Sequence, residues 1–299
     1  MSAQAPHDQD FLAAVVIPHF NDGARLRKCL TALIPQLTPA RPVDVIVADN
    51  NSTEDISAII TDFPQVRFVT ALKKGAAEAR NMGVHHSTAP RLFFIDADCI
   101  PAPNWLDMAL DQTAEDGMIG GTVTVFDETP PPRSGAEAFE TVFAFHQQSY
   151  IARGFSVTAN LLTTRATFDA VGDFNPRVVE DSDWCHRAGA LGYGIRFVPE
   201  LKVAHPTRQN WAALRKKWRR TTSENYFAGG THAKARLCWG LRAFAVAGSG
   251  LLHIPRALRH HALNGPEKRA VVVTLLRLRL VRAGWMLKQA IFDEPPINT

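Results

Sequence analysis

The chain has 299 residues, 46% of them apolar, and a net charge of +4, which is enough for one large or two modest domains around a real core. Its four cysteines, Cys29, Cys99, Cys185 and Cys238, are widely separated and form no Cys-x-x-Cys pair; that excludes a disulfide framework or a zinc knuckle and points to a reducing compartment. Charge is uneven: residues 1–207 hold 16 Lys/Arg and 25 Asp/Glu, a net of −9, whereas 208–299 hold 17 and 4, a net of +13.

Residues 1–10 are polar, lack the basic-then-apolar pattern of a signal peptide, and are expected to be disordered. Phe11 to Ile17 is a continuous apolar run, the form of a strand buried on both faces. Pro18 ends it, and His19 to Asp22 make a loop in which Asn21 or Asp22 can cap a helix from Ala24 to Leu37. Leu26, Leu30, Leu33, Ile34 and Leu37 give that helix one apolar face. A second strand, Val43 to Ala48, runs into the polar cluster Asp49-Asn50-Asn51-Ser52-Thr53. A helix from Glu54 to Phe63 and a short strand from Val66 to Val69 follow. Lys73-Lys74-Gly75 then opens a helix from Ala76 to Val84, whose first backbone N–H groups suit an anion.

The fourth strand, Arg91 to Ile95, delivers Asp96 and Asp98 at its end, and Pro101 stops it. Alternate residues of an extended segment point the same way, so the two carboxylates can grip one object. Like charges that close repel unless a cation lies between them, and a hard divalent ion with oxygen ligands, Mg²⁺ or Mn²⁺, is the natural occupant. The same spacing also occurs in solvated Asp-x-Asp turns. Strand–helix alternation predicts an α/β fold with a parallel, doubly wound sheet, whose ligands bind beyond the carboxyl ends of the strands. The loops around Pro18, Asp49, Lys74 and Asp96 gather there.

After Pro101 the pattern changes. A helix from Asn104 to Thr113, a strand from Met118 to Val125 and a Pro-rich segment from Thr129 to Gly135, a lid or a linker, lead to a helix from Glu137 to Tyr150. Phe155 to Leu162 is expected as a central strand. A short helix closes at Val171, and Gly172 to Pro176 form a turn. Glu180, Asp181 and Asp183 fall in the first turn of the next helix, where acidic side chains also suit the helix dipole alone. Strands from Gly194 to Pro199 and Val203 to Pro206 follow.

Eight blocks in this order resemble the family 2 glycosyltransferases, inverting enzymes with a GT-A fold. They are Val-Val-Ile-Pro-His-Phe-Asn at 15–21, Val-Ala-Asp-Asn-Asn-Ser-Thr at 47–53, Gly-Ala-Ala-Glu-Ala-Arg-Asn-Met-Gly at 75–83 and Phe-Phe-Ile-Asp-Ala-Asp at 93–98, then Ala-Asn-Leu at 159–161, Val-Gly-Asp-Phe-Asn at 171–175, Glu-Asp-Ser-Asp at 180–183 and Ala-His at 204–205. The resemblance covers about two thirds of the chain and implies a mixed, mostly parallel sheet with a C-terminal helical extension. Residues 11–101 become a nucleotide-sugar-binding half, 102–207 an acceptor-binding half and 208–299 a basic helical extension.

The resemblance also implies roles. Asp49 and Arg80 contact the nucleotide base, Pro18 and Phe20 line its pocket, and His19, Asn21, Asn51, Gly75, Asp96 and Ala97 complete the nucleotide site. Asp98 and Asp96 hold Mn²⁺ or Mg²⁺, with His205 either completing the metal site or serving as a hydrogen-bonded structural residue. Asp181 is the catalytic base with Glu180 beside it, and Asn160 lies near the sugar or acceptor. The chemistry agrees: the departing diphosphate needs neutralising, and the acceptor hydroxyl must lose a proton as it attacks the anomeric carbon. Two departures stand out. The second strand ends Asp49-Asn50 rather than in two aspartates, and no Gln-x-x-Arg-Trp block marks a processive synthase.

The tail begins with a basic, Trp-bearing helix from Trp211 to Arg220, which suits diphosphate contacts, a membrane surface or plain solvation. More apolar helices follow from Leu237 to Leu258 and Ala270 to Phe292, and their arginines argue against spans. The basic tail fits an anionic partner, and no reader motif supports nucleic acid. The extension is expected to pack on the body, form a homodimer, or rest peripherally on the inner face of the plasma membrane. The expected reaction moves a sugar from a nucleotide-diphosphate sugar to a glycan or lipid-linked acceptor, a hexosyltransferase of cell-envelope or exopolysaccharide type. The alternatives are a sugar-1-phosphate nucleotidyltransferase, which wants a Gly-rich, Arg-bearing loop where this chain has Pro18-His19-Phe20-Asn21, and a non-catalytic nucleotide-sugar-binding scaffold.

Overall fold

The computed structural model describes residues 10–112, 116–176 and 178–292, so the expected disorder of 1–10 lies almost wholly outside the described residues. The strands are β1 (Ala13–His19), β2 (Val43–Asp49), β3 (Arg67–Thr70), β4 (Arg91–Phe94), β5 (Ile100–Pro101), β6 (Met118–Phe126), β7 (Leu161–Thr164) and β8 (Ile195–Pro206). They form one eight-stranded sheet in the order β3-β2-β1-β4-β7-β6-β8-β5. Helices α1 (Gly23–Leu33), α2 (Ser57–Asp62), α3 (Ala76–His85) and α4 (Trp105–Leu110) connect the first strands. Then come α5 (Gly135–Phe143), α6 (Gln147–Ile151), α7 (Arg165–Val171), α8 (Glu180–Ala190), α9 (Trp211–Ala228), α10 (Ala233–Arg259) and α11 (Gly265–Phe292).

The chain divides into two compact units. The first comprises residues up to Thr124, His146–Pro176 and Glu180–His205; the second takes in Val125–Phe145 and the chain from Pro206 onward. In the first unit β3, β2, β1 and β4 run parallel, and β7 pairs antiparallel with both β4 and β6. Burial explains the apolar runs: residues 13–17 of β1 and 92–94 of β4 are covered on both faces. The order reverses at β1, between β2 and β4, which opens the crevice beyond their carboxyl ends where ligands bind in such sheets. An aromatic cluster of Phe94, Phe168, Phe174 and Trp184 fixes α8 from beneath. In the second unit Phe139 and Val142 of α5 and Leu214 of α9 share a core with Val271, Leu275 and Leu278 of α11.

Several local expectations change. Phe155 to Leu162 is a strand only from Leu161; Thr158–Asn160 is a 3-10 turn, set by the burial of Asn160 described below. The helix expected through Tyr150 breaks between Phe143 and Gln147, where Phe145 adopts φ 47°. The two expected strands after Gly194 are one, β8. The Pro-rich segment is anchored rather than loose: the Arg133 guanidinium bonds Asp127 at 2.6 Å and the Ala262 carbonyl at 3.0 Å.

Candidate active site

The site residues rise from the ends of β1, β2 and β4 and the start of α8. β1 ends in His19, whose side chain is fully buried. Its Nε2 accepts the Asp22 backbone N–H at 3.2 Å, so the proton sits on Nδ1, which donates to Asp49 Oδ1 at 2.8 Å. Asp49 also accepts the Ser52 hydroxyl at 2.5 Å and the Ser52 N–H at 3.0 Å. Burial works to raise the Asp49 pKa, but these hydrogen bonds outweigh it and hold the carboxyl below its ordinary value. Beside it, Phe20 is half exposed and Asn51 is exposed with φ 57°. Asn21 is occupied: its Oδ1 accepts the backbone N–H groups of Thr53 and Glu54. It thereby staples the β1 loop to the β2 loop.

Asn50 explains the departure from two aspartates. Its buried amide donates to the carbonyls of Ala71 and Lys73 at 3.3 and 2.6 Å and accepts the Gly75 N–H at 2.7 Å. A carboxylate could accept from Gly75 but could not donate to either carbonyl. Gly75, the N-cap of α3, adopts φ 127°, open to glycine, and its N–H is taken by Asn50.

Asp96 and Asp98 do converge, by a different route from strand alternation. β4 ends at Phe94, and the chain turns over Asp96–Cys99, the Cys99 N–H bonding the Asp96 carbonyl at 3.0 Å. Ligand atoms of Asp96, Asp98 and Cys99 lie within 4.8 Å of one another. Burial, then the charges of Asp98 and Asp96, push the Cys99 thiol well above its usual range, so the donors on offer are carboxylate oxygens. His205 Nε2 lies 3.3 Å from Asp98 Oδ2, beside one carboxylate of the pair. A hard-oxygen donor set of this kind fits Mg²⁺ or Mn²⁺.

Arg80 joins the two sides of the site. It is buried, with Nη2 2.6 Å from Asp96 and Nη1 3.0 Å from Glu180, and its Nε has no hydrogen-bond partner among the described residues. Its neighbour Asn81 exchanges two 2.9 Å hydrogen bonds with the backbone of Phe174. One turn of α3 therefore fixes both Asp96 and the approach to α8. There Trp184, fully buried, donates to the Gly172 carbonyl at 2.8 Å and holds the helix three residues beyond Asp181. Asp181 accepts the Ser182 N–H at 2.7 Å. Burial first, then the Glu180 charge, push its pKa up to about 7, against the pull of Ser182 and Arg80.

Asn160 bonds to other parts of the first unit. It is fully buried, accepts the Trp105 indole N–H at 3.0 Å and donates to the carbonyls of Thr122 and Leu201 at 3.0 and 2.9 Å. A Cβ on Gly121 would come within 2.2 Å of that amide, which is why a glycine faces it. Asn160 thus pins β6, β8 and α4, and its side chain is fully used. Asn50, Asn81 and Asn160 are the residues whose work the sequence did not disclose. The signal was present only as asparagine placed where an apolar residue would otherwise fill the core.

The family model described as Glycosyl transferase family 2 matches residues 14–177. The glycosyltransferase AglE of Haloferax volcanii is 28% identical over 218 residues, 69% of this chain and 70% of AglE. The pre-mycofactocin glycosyltransferase of Mycobacterium tuberculosis is 26% identical over 67% of this chain and 44% of its own length. Among solved structures, the mannosyltransferase PcManGT of Pyrobaculum calidifontis, in complex with GDP-Man and Mn²⁺, has a similar fold, with a TM-score of 0.55 at 16% identity, over 95% of this chain and 74% of its own. With the family model matching more than half its length, this chain belongs to the family 2 glycosyltransferases.

Proposed function

We propose that the chain transfers a sugar from a nucleotide-diphosphate donor to an acceptor hydroxyl with inversion, and that Asp181 is the general base. The observation that carries this is a partly buried carboxylate at the head of α8, next to Glu180, which Arg80 ties to Asp96; burial and the Glu180 charge push its pKa up to about 7. A base poised near neutrality takes the acceptor proton as the hydroxyl attacks. One carboxylate acting opposite the leaving group gives inversion.

In this reading Asp98 and Asp96 hold Mn²⁺ or Mg²⁺, with His205 steadying Asp98. Once bound, the ion supplies neutralisation of the departing diphosphate. The Mn²⁺ in the PcManGT complex supports that metal class. Asp49, held ionised by Ser52 and His19, is the acceptor for a base N–H, with Pro18 and Phe20 as pocket wall. Asn51, Gly75 and Ala97 contribute backbone around the nucleotide. His19, Asn21 and Arg80 act by positioning: His19 orients Asp49, Asn21 shapes the loop, and Arg80 sets Asp96 and Glu180. Residues 11–101 serve the donor and 102–207 the acceptor, a glycan or a lipid-linked hydroxyl. Donor turnover with Mn²⁺, and its loss in Asp181→Asn while nucleotide binding persists, tests the assignment. Nucleotide binding without turnover in the wild type under any activated sugar would reduce the chain to a scaffold.

A further inference from the structure

The second compact unit carries a surface that the transfer chemistry does not use. On α10, Leu237, Leu241, Phe244, Leu251 and Leu252 are each between 63% and 80% exposed. Leu237, Leu241, Phe244 and Leu251 recur at intervals of four, three and seven residues, so they share one side of the helix. Pro255 continues the stripe and Leu258 borders it, giving an apolar ridge about 32 Å long at 1.5 Å per residue. Single exposed leucines are ordinary on a protein surface, but an ordered ridge of this length is not.

The charges around the ridge identify its partner. Residues 233–259 contain Lys234, Arg236, Arg242, Arg256 and Arg259 and no acidic residue. Arg236 is turned to the α11 carbonyls of Ala290 and Ile291, while Lys234, Arg242, Arg256 and Arg259 are exposed along the ridge and at its ends. A second copy of the same face would set these cations against one another, whereas anionic lipid headgroups complement them.

By length and composition alone α10 could cross a bilayer. Its other side, however, is committed to α11. Ala243 packs with Ala283 and Met286, Trp239 bonds the Gln289 side chain at 3.0 Å, and Gly250 lies against Leu276 and Arg279. Spanning would take Arg277, Arg279 and Arg282 of α11 into hydrocarbon as well, at high cost.

We infer that α10 lies in the plane of an anionic bilayer, its Leu237–Leu258 ridge in the acyl region and its lysine and arginine side chains at the headgroups. This goes beyond the transfer reaction, and its test reads binding rather than turnover, so the two can fail separately. The full chain is sedimented with vesicles of pure phosphatidylcholine, of phosphatidylcholine with phosphatidylglycerol, and of the mixture at high salt. Binding to the anionic vesicles at low salt, weakened by salt and by neutral lipid, is the expected result. Phe244→Asp with Leu252→Asp should reduce that binding by about tenfold or more. Arg242→Gln with Arg256→Gln should reduce it for anionic vesicles only. Both variants alter exposed positions and should keep wild-type donor turnover. No binding by the wild type, unchanged binding by the Phe244 variant, or retention on membranes after an alkaline carbonate wash would overturn the inference. A dimer in solution that Phe244→Asp dissociates would assign the ridge to a second copy and overturn it equally.

Discussion

Replacing Asp181 by asparagine separates what the proposed base does for catalysis from what it does to stability. An aspartate ordinarily titrates at 3.8, and here burial and Glu180 lift the group to about 7. The folded protein therefore binds this proton more tightly than the unfolded chain. Below the unfolded value both states are protonated and the group costs nothing; as pH rises toward the folded value the native state loses stability, and above it the full cost remains. At about 1.36 kcal/mol per pKa unit, the gap sets a ceiling of roughly 4 kcal/mol. Partial solvent contact brings the expected value to on the order of 2 kcal/mol.

Asp181→Asn keeps an acceptor for the Ser182 N–H and removes the charge. In thermal unfolding with chelator present, the variant should match wild type near pH 4 and exceed its Tm by about 5 °C near pH 8. Transfer activity should fall by on the order of a hundredfold or more. A variant no more stable than wild type near pH 8, or one that still turns over, would refute the placement of a costly, partly buried base at this position.

Glu180→Gln removes the second cause of the raised Asp181 pKa, so the acid limb of the pH–rate profile should move about one unit lower; an unmoved limb would detach Glu180 from the base. Asp98→Asn should weaken Mn²⁺-dependent donor binding by about tenfold or more while leaving metal-free nucleotide binding intact, as read by calorimetry; equal losses in both would point to misfolding. Asn160→Asp should cost about 2–4 kcal/mol in urea unfolding, because a carboxylate would face the Thr122 and Leu201 carbonyls. A change in acceptor KM at unaltered stability would return Asn160 to the sugar site.

The strand cores were legible because β1, β2 and β4 are buried on both faces, and such strands read as unbroken apolar runs. The polar residues in the loops after β1, β2 and β4 announced the crevice, since the carboxyl ends of such strands are where ligands bind in these sheets. What the sequence hid was of longer range. Phe155–Leu162 has the composition of a strand, yet the need to bury and bond the Asn160 amide turns its middle into a 3-10 step. The Asp96–Asp98 pair was found through an extended geometry that the chain does not adopt; a turn brings the same oxygens together. Arg80 was assigned to the nucleotide base, and only the fold brings it between Asp96 and Glu180, 84 positions apart.

The polar residues of the first unit sort by what their side chains can do. Asn50, Asn81 and Asn160 both donate and accept, and all three are buried and bonded to backbone across loops that strand pairing does not reach. Carboxylates cannot serve there, since they only accept. Asp96, Glu180 and Asp181 are instead partly exposed around one buried guanidinium, with Asp98 beside Asp96. Arg80 pulls the Asp181 pKa down, but burial first, then the charge of Glu180 and more weakly that of Asp96, outweigh it and raise the group. Amides thus fix the frame rigidly and without net charge, which lets the frame hold several acids closer than they would stand in solution. The charge of Glu180 adds to burial in raising Asp181, and the paired carboxylates of the Asp96–Asp98 turn favour a cation between them. In the proposed reading the base and the metal pair therefore depend on the same frame, and loosening an asparagine should disturb both together.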